Sequence, residues 1–460
     1  MRIFLSHPLR RASLTCHALL FAGLLRAPFT QASISLNIGD DQSIMDAAKQ
    51  AAAGMLQYYT GNQPGDVPGN LPDPYYWWEA GAMLNSLIDY YYFTGDDEYN
   101  DLVMQAMLHQ VGPNNNYMPE NQTHTLGNDD QAFWGMAALT AAENKFPNPP
   151  DDKPQWLALA QAVFNSQAHR WDLKTCAGGL RWQVFTFNKG YSYKNTITNG
   201  CFFNIAARLA SYTGNSSYAD WADKAWDWMQ GVGLLSPSYQ AFDGTDVSDN
   251  CSLINHVQWT YNNGILLSGA AHMYRFTKES NKWKERVHGL LKAGEMFFAK
   301  DPPNVMTEVS CDSIGECNVD QRSFKAYLCR DMATTAKLVP DTYDNIMAKL
   351  RASASAAALQ CNGPNNACGL RWTEGDNYDG STGVGEQMAA LEVFQSLLVD
   401  RVEGPANNDT GISRGDPSAG GEEGPVVEPP DITTADRVGA GLVTVIFLTA
   451  IVSGAGFLIR

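Results

Sequence analysis

Positive charge is scarce in this chain. Its 32 Lys and Arg stand against 49 Asp and Glu, a net charge of −17 at neutral pH. Such a field repels nucleic-acid phosphates and anionic headgroups, which excludes nucleic acid as a partner. Zinc-site spacing is missing too: there is no Cys-x-x-Cys pair and no His-Glu-x-x-His, and the eight His are scattered. No metal and no other cofactor is implied. Charged residues are only 18% of the chain, against 44% hydrophobic and 11% aromatic. That balance excludes intrinsic disorder and suits a large buried core.

Both ends read as processing signals. Residues 1–32 carry Arg2, Arg10 and Arg11, an apolar stretch from Leu14 to Leu25, and Thr30-Gln31-Ala32 as a small-residue cleavage site. This pattern predicts a secretory leader and a mature chain starting near Ser33. The apolar run 438–459 has only Arg460 after it and follows a stretch rich in Gly, Pro and Glu. Its length is enough for a single-pass helix, but with so little beyond it a GPI-type lipid-anchor signal is the preferred reading. Ser418-Ala419-Gly420-Gly421 and Thr433-Thr434-Ala435 offer small residues for attachment. The expected organisation is a leader over 1–32, a folded domain over 33–400, a flexible linker over 401–437 and the tail over 438–460.

With Cys16 in the leader, eight cysteines remain: Cys176, Cys201, Cys251, Cys311, Cys317, Cys329, Cys361 and Cys368. An even number in a secretory context predicts four disulfides, with the pairing open. Glycosylation triplets at Asn121, Asn215, Asn250 and Asn408 agree with secretion.

Between the signals the periodicity is helical. Tyr218, Trp221, Ala222, Ala225, Trp226 and Met229 recur at helical spacing, with Asp220, Asp223, Lys224 and Asp227 opposite them. That segment predicts an amphipathic helix with one wet face. By contrast, Trp77 to Phe93, Ala132 to Ala142, Cys201 to Leu209 and Ile265 to Tyr274 are apolar nearly all round, as buried helices are. The two kinds alternate, joined at Phe93-Thr94-Gly95, Tyr212-Thr213-Gly214 and Phe276-Thr277-Lys278. A repeated helical hairpin predicts six units closing into an all-α (α/α)6 barrel with inner and outer rings.

Joints leading into buried helices are long: 61–76, 112–128, 172–198, 232–259, 299–322 and 360–382. In an alternating double ring they all emerge at one mouth, and long structured loops usually carry function. At the end of one of them stands Asn128-Asp129-Asp130, opening a buried helix. An adjacent acidic pair can simply cap a helix, stabilised by free N–H groups and the helix dipole. On an inner helix, however, the pair points into the mouth. Two carboxylates this close cannot both ionise cheaply, so one stays protonated as a general acid. Neighbouring Cα atoms about 3.8 Å apart allow the separation of roughly 5–5.5 Å found in retaining glycosidases.

Five segments, in order, carry a resemblance: Trp78-Glu79-Ala80-Gly81-Ala82-Met83; Asn128-Asp129-Asp130-Gln131-Ala132-Phe133-Trp134-Gly135; Cys176-Ala177-Gly178-Gly179-Leu180-Arg181-Trp182; Lys194-Asn195-Thr196-Ile197-Thr198-Asn199-Gly200; and Trp259-Thr260-Tyr261-Asn262-Asn263-Gly264. Over Ser43 to Leu398 the chain resembles glycoside hydrolase family 76, the endo-α-1,6-mannanases, and its fungal cell-wall members in particular. The resemblance implies a retaining, metal-free mechanism with Asp129 as nucleophile and Asp130 as general acid/base. It also implies stacking of sugar on Trp78 and Trp182, and for Asn199, Tyr261 and Asn263 either a sugar contact or a role in positioning the helices. The implied partner is an α-1,6-mannose-containing glycan, with a β-glucan as acceptor if the reaction is transfer, on a monomer lipid-anchored at the outer face of the plasma membrane and cell wall. Two alternatives compete: a mannan-binding protein without turnover, and a lyase or epimerase using a Tyr or His base such as His124.

Overall fold

The computed structural model describes residues 33–420, together with Thr444 and Leu448. The expected leader lies outside the described residues, as do the linker beyond 420 and the rest of the apolar tail. Among the described residues no helix is long and apolar enough to cross a membrane.

Twelve α-helices follow one another: α1 (Asp41–Leu56), α2 (Trp77–Thr94), α3 (Asn100–His109), α4 (Asn128–Glu143), α5 (Trp156–His169), α6 (Thr196–Thr213), α7 (Ser216–Val232), α8 (Thr260–Phe276), α9 (Asn281–Ala293), α10 (Phe324–Leu338), α11 (Tyr343–Gln360) and α12 (Val384–Gln395). The even-numbered helices are buried along most of their length. Each packs on the next, and α12 returns to α2 to close the ring. Odd-numbered helices lie outside, α1 against α12 and each of the others against the inner helix before it. This is the expected (α/α)6 barrel.

The pattern of α7 shows why it is an outer helix. It buries Tyr218, Ala222, Ala225, Trp226 and Met229 and leaves its acidic side to solvent. Short joints at the far end turn sharply: Gly95 and Gly214 adopt left-handed φ of 75° and 71°, and their N–H groups donate to Tyr91 O and Ala210 O, a helix ending that glycine makes cheap. Buried ion pairs, Arg208 with Glu143 (2.6 Å) and Arg330 with Asp89 (2.7 Å), fill the interior there. At the other end the N-termini of all six inner helices point into the mouth.

Long mouth loops are tied together. Strands β1 (Tyr193–Asn195), β2 (Gly244–Asp246) and β3 (Ile254–Asn255) form an antiparallel sheet, with Tyr193 opposite Asp246 and Gly244 opposite Asn255. The Cys176–Cys251 disulfide joins the same two loops, while Cys311–Cys317 and Cys361–Cys368 close short ones. The expectation of four disulfides is corrected to three, because Cys201 and Cys329 are free thiols fully buried on inner helices α6 and α10. They face the core as small apolar side chains. All four glycosylation triplets present an exposed Asn.

The expected flexible linker is corrected over residues 401–420, which pack as a strap over the far ends of inner helices α4 and α6 and then along outer helix α5. Ala406 N–H donates to Glu143 O (2.8 Å) and Asn408 N–H to Tyr212 O (2.7 Å). Leu157 N–H then donates to Ser413 Oγ (3.0 Å), Asp416 N–H to Gln161 Oε1 (2.6 Å), and Asn165 Nδ2 to the carbonyls of Pro417 and Ala419. Gly- and Pro-rich sequence gives no apolar period, so a hold made through backbone groups leaves no trace in composition.

Candidate active site

Asp129 and Asp130 occupy the first turn of α4, where the helix dipole favours negative charge. Their approach is set by Gly127, which precedes the helix. A Cβ there would collide with Oδ1 of Asp129 and crowd Oδ2 of Asp130 at 3.1 Å. Both carboxylates therefore converge on one small space, with Oδ1 of Asp129 and Oδ2 of Asp130 no more than about 5.4 Å apart. Asp130 Oδ2 accepts from Gly127 N–H at 2.6 Å. The capping role open to this pair in the sequence is thus partly realised, by the residue that also faces the cleft.

The neighbouring loop is zipped onto this turn. Asn128 N–H donates to Trp182 O (2.8 Å) and Asn128 Nδ2 to Arg181 O (2.9 Å). With the main chain fixed, Trp182 Nε1 donates to Asp129 Oδ2 at 3.0 Å. The other oxygen, Asp129 Oδ1, is closed off from solvent and has no hydrogen-bond partner among the described residues.

Electrostatics follow from this enclosure. Burial pushes the Asp129 carboxyl well above the usual carboxylate range, and the charge of Asp130 pushes it further; the nearby backbone N–H groups of Asp129 and Asp130 and, after them, the Trp182 N–H act in the opposite sense. Asp130 is pushed up to about 7, by burial first and with a contribution from Asp320, against the stabilising Gly127 N–H. The two titrate as a pair, and one of them holds a proton near neutral pH. Neither forms an ion pair with an arginine among the described residues, the arrangement that a non-catalytic binder would show.

Around the pair opens a cleft of about 810 Å³, lined by Trp78, Phe133, Trp182, Tyr193, Tyr261 and Phe324 and by the carboxylates of Asp243 and Asp320. Trp78 packs on Phe133 (ring centroids 4.7 Å) and donates from Nε1 to Asp320 (3.2 Å). Tyr261 stacks on Phe324 at 3.8 Å. Three of the five expected sugar contacts, Trp78, Trp182 and Tyr261, therefore reach the cleft.

Asn199 and Asn263 do not: of the two roles open to them, the sugar contact is corrected and the positioning role is the one observed. Asn199 is fully buried, accepting from Leu180 N–H (2.7 Å) and donating to the carbonyls of Leu180 and Asn195. Asn263 is buried and donates to Leu290 O at 3.1 Å, joining α8 to α9. Each holds backbone in place. His124 is exposed, away from the cleft lining. Burial raises the phenols of Tyr193 and Tyr261 well above their ordinary range, which keeps them protonated and unavailable as bases.

Asp243 and Asp320 are the site residues that sequence reasoning missed. Asp243 accepts from Tyr193 OH (2.6 Å), Trp259 Nε1 (2.9 Å) and Asn255 Nδ2 (3.1 Å). Burial raises the Asp320 carboxyl, and the Trp78 N–H opposes the rise. The available signal was their place in two of the long mouth loops.

The profile of Glycosyl hydrolase family 76 matches residues 43–409. The chain belongs to glycosyl hydrolase family 76. This family 76 chain is 49% identical over 432 residues to the mannan endo-1,6-alpha-mannosidase DCW1 of Candida glabrata, covering 93% of this chain and 96% of that one. It is 47% identical over 442 residues to DCW1 of Saccharomyces cerevisiae, covering 95% and 97%. Among solved structures, Dfg5 from Chaetomium thermophilum in complex with glucosamine superposes with a TM-score of 0.80 at 49% identity, covering 84% of this chain and 97% of that one. The alpha-1,6-mannanase of Salegentibacter, in an inactive variant bound to α-1,6-mannotriose, superposes with a TM-score of 0.62 at 19% identity over 78% of this chain and 99% of that one, a likeness of fold.

Proposed function

We propose that this protein is a retaining, endo-acting α-1,6-mannosidase whose nucleophile is Asp129 and whose general acid/base is Asp130. The observation that carries the reading is the convergence of two carboxylates on the space beside Gly127, in a cleft walled by aromatic rings. Ring faces suit the apolar faces of sugars, and the separation suits double displacement. The curated relatives are named for action on mannan linked α-1,6, which supports the substrate.

At rest, burial and the charge of Asp130 favour the pair's shared proton on Asp129. In the reactive form it sits on Asp130; in the first step that carboxyl gives it to the glycosidic oxygen as that bond breaks, and the Asp129 carboxylate forms a bond to the anomeric carbon. Trp182 Nε1–H holds the attacking carboxylate in place. In the second step the Asp130 carboxylate takes a proton from an incoming hydroxyl, whose oxygen displaces Asp129. That hydroxyl belongs to water in hydrolysis and to a sugar in transfer. We further propose transfer to a β-glucan acceptor, on a monomer held by a lipid anchor at the outer face of the plasma membrane and in the cell wall. The secretory leader and the apolar tail support this location, and orientation of a bound acceptor can outweigh the abundance of water.

Azide rescue tests the roles. Asp129→Gly with azide is expected to yield a mannosyl azide of inverted configuration, and Asp130→Gly one of retained configuration. The opposite pattern would reverse the assignment. Mass spectrometry of products from an α-1,6-mannoside donor, with and without β-glucan oligomers, tests transfer; water adducts alone at high acceptor concentration would leave plain hydrolysis.

A further inference from the structure

Beside the catalytic cleft the mouth carries a second groove, of about 980 Å³. Its lining is basic, with His169, Arg170, Lys174 and Arg181. Among the described lining residues Asp172 is the one carboxylate, and it pairs with Arg181 (3.0 Å) and the buried Lys194 (3.2 Å), while Arg170 also donates to Gln131 Oε1. In a chain of net charge −17 this is a local reversal of sign. The groove adjoins the active site, because Arg170 Nε donates to Asn128 Oδ1 at 2.8 Å, one residue before Asp129.

The last described stretch of main chain leads to it. The strap climbs α5 rung by rung, Ser413 at Leu157, Asp416 at Gln161, then Pro417 and Ala419 at Asn165. Helix α5 ends at His169, the first wall of the groove. Gly420 itself packs against Ala162, from which the helix rises roughly 12 Å to Arg170, a span that extended chain covers in about four residues at about 3.3 Å each. Two and three residues beyond Gly420 stand Glu422 and Glu423, then Glu428 and Asp431, with no Lys or Arg before Arg437.

We infer that the acidic segment 422–431 of this same chain docks in the basic groove formed by His169, Arg170, Lys174 and Arg181. The direction of the strap, the length needed and the opposite charges all agree. Docking braces the loop that carries Trp182 and brings the chain off the domain on the mouth side. It also requires the segment to survive processing, which puts the attachment of any lipid anchor at Thr433-Thr434-Ala435 rather than at Ser418-Ala419-Gly420-Gly421. The inference does not depend on the catalytic reading.

Zero-length carbodiimide crosslinking of the full chain, followed by peptide mass spectrometry, tests it. The expected product is a link from Lys174 to Glu422 or Glu423 at monomer mass, lost in a variant carrying E422Q, E423Q, E428Q and D431N. In that variant, hydrogen exchange of residues 170–182 should quicken several-fold, and high salt should do the same to the unmodified chain. Three outcomes would each overturn the inference: Lys174 linked only to acids of residues 33–420, links found only at dimer mass, or protection that responds to added inorganic phosphate but not to the tail charges. The last would make the groove a site for an anionic ligand.

Discussion

Trp182 Nε1 and Asp129 Oδ2 lie 3.0 Å apart, joined by a hydrogen bond from a mouth loop to the first turn of α4. That bond is the indole's one polar contribution, so Trp182→Phe separates it from the ring's packing. Its loss leaves the Asp129 carboxylate with less support, and the Asp129 titration rises. We expect kcat/KM to fall about 10- to 100-fold, mostly in kcat, and the acid limb of the pH–rate profile to move upward. An unchanged limb with raised KM would show that the ring acts only as a binding surface.

Replacing Asp129 or Asp130 by Asn should abolish turnover, by more than about a thousand-fold, while the thermal midpoint stays within a few degrees. A pure capping role gives the reverse, modest loss of stability with activity intact. Kinetics and melting curves on the same preparations distinguish the two.

Stability should also depend on pH through this pair. The folded Asp130 titrates near 7, above its unfolded value of about 3.9, so the folded chain binds more protons between those limits. Its contribution is present below about pH 4 and is lost as pH rises through 7. Asp130→Asn should therefore raise the melting temperature relative to the unmodified chain at pH 7.5 and change it less at pH 4.5.

Gly127→Ala adds one methyl where both carboxylates converge. The backbone there, φ −91° and ψ 162°, accommodates alanine, so the effect is steric. We expect activity to drop at least 100-fold with the fold retained by circular dichroism. Near-normal turnover would mean that the pair relaxes freely and that its tight approach is not required.

Thiol labelling distinguishes three disulfides from four. The processed chain should show no reactive thiol when native and two after denaturation without reductant, at Cys201 and Cys329.

The alternation of helices was legible because a buried helix and a one-faced helix leave different apolar patterns, as Trp77–Thr94 and Ser216–Val232 show. The acidic pair was legible for a related reason: its position at the start of an inner helix fixes where it points. Asp243 and Asp320 were not, since a lone carboxylate in a loop has no periodicity and reaches the cleft only through tertiary folding. Asn199 and Asn263 stand in the right motifs, yet a buried amide that ties backbone reads the same in sequence as one that touches sugar. The cysteine count misled in the same way, since parity says nothing about which thiols the core encloses.

The strap over α5 has a mechanical consequence. A pull on the C-terminal end loads its rungs one at a time, starting with Asn165 and its two carbonyl partners, then Gln161, then Leu157. Bonds worth about 1 kcal/mol each that open in sequence peel at low force. The closed ring of inner helices lies behind them, so tension applied at that end is spent on the strap before it reaches the helix that carries the two aspartates.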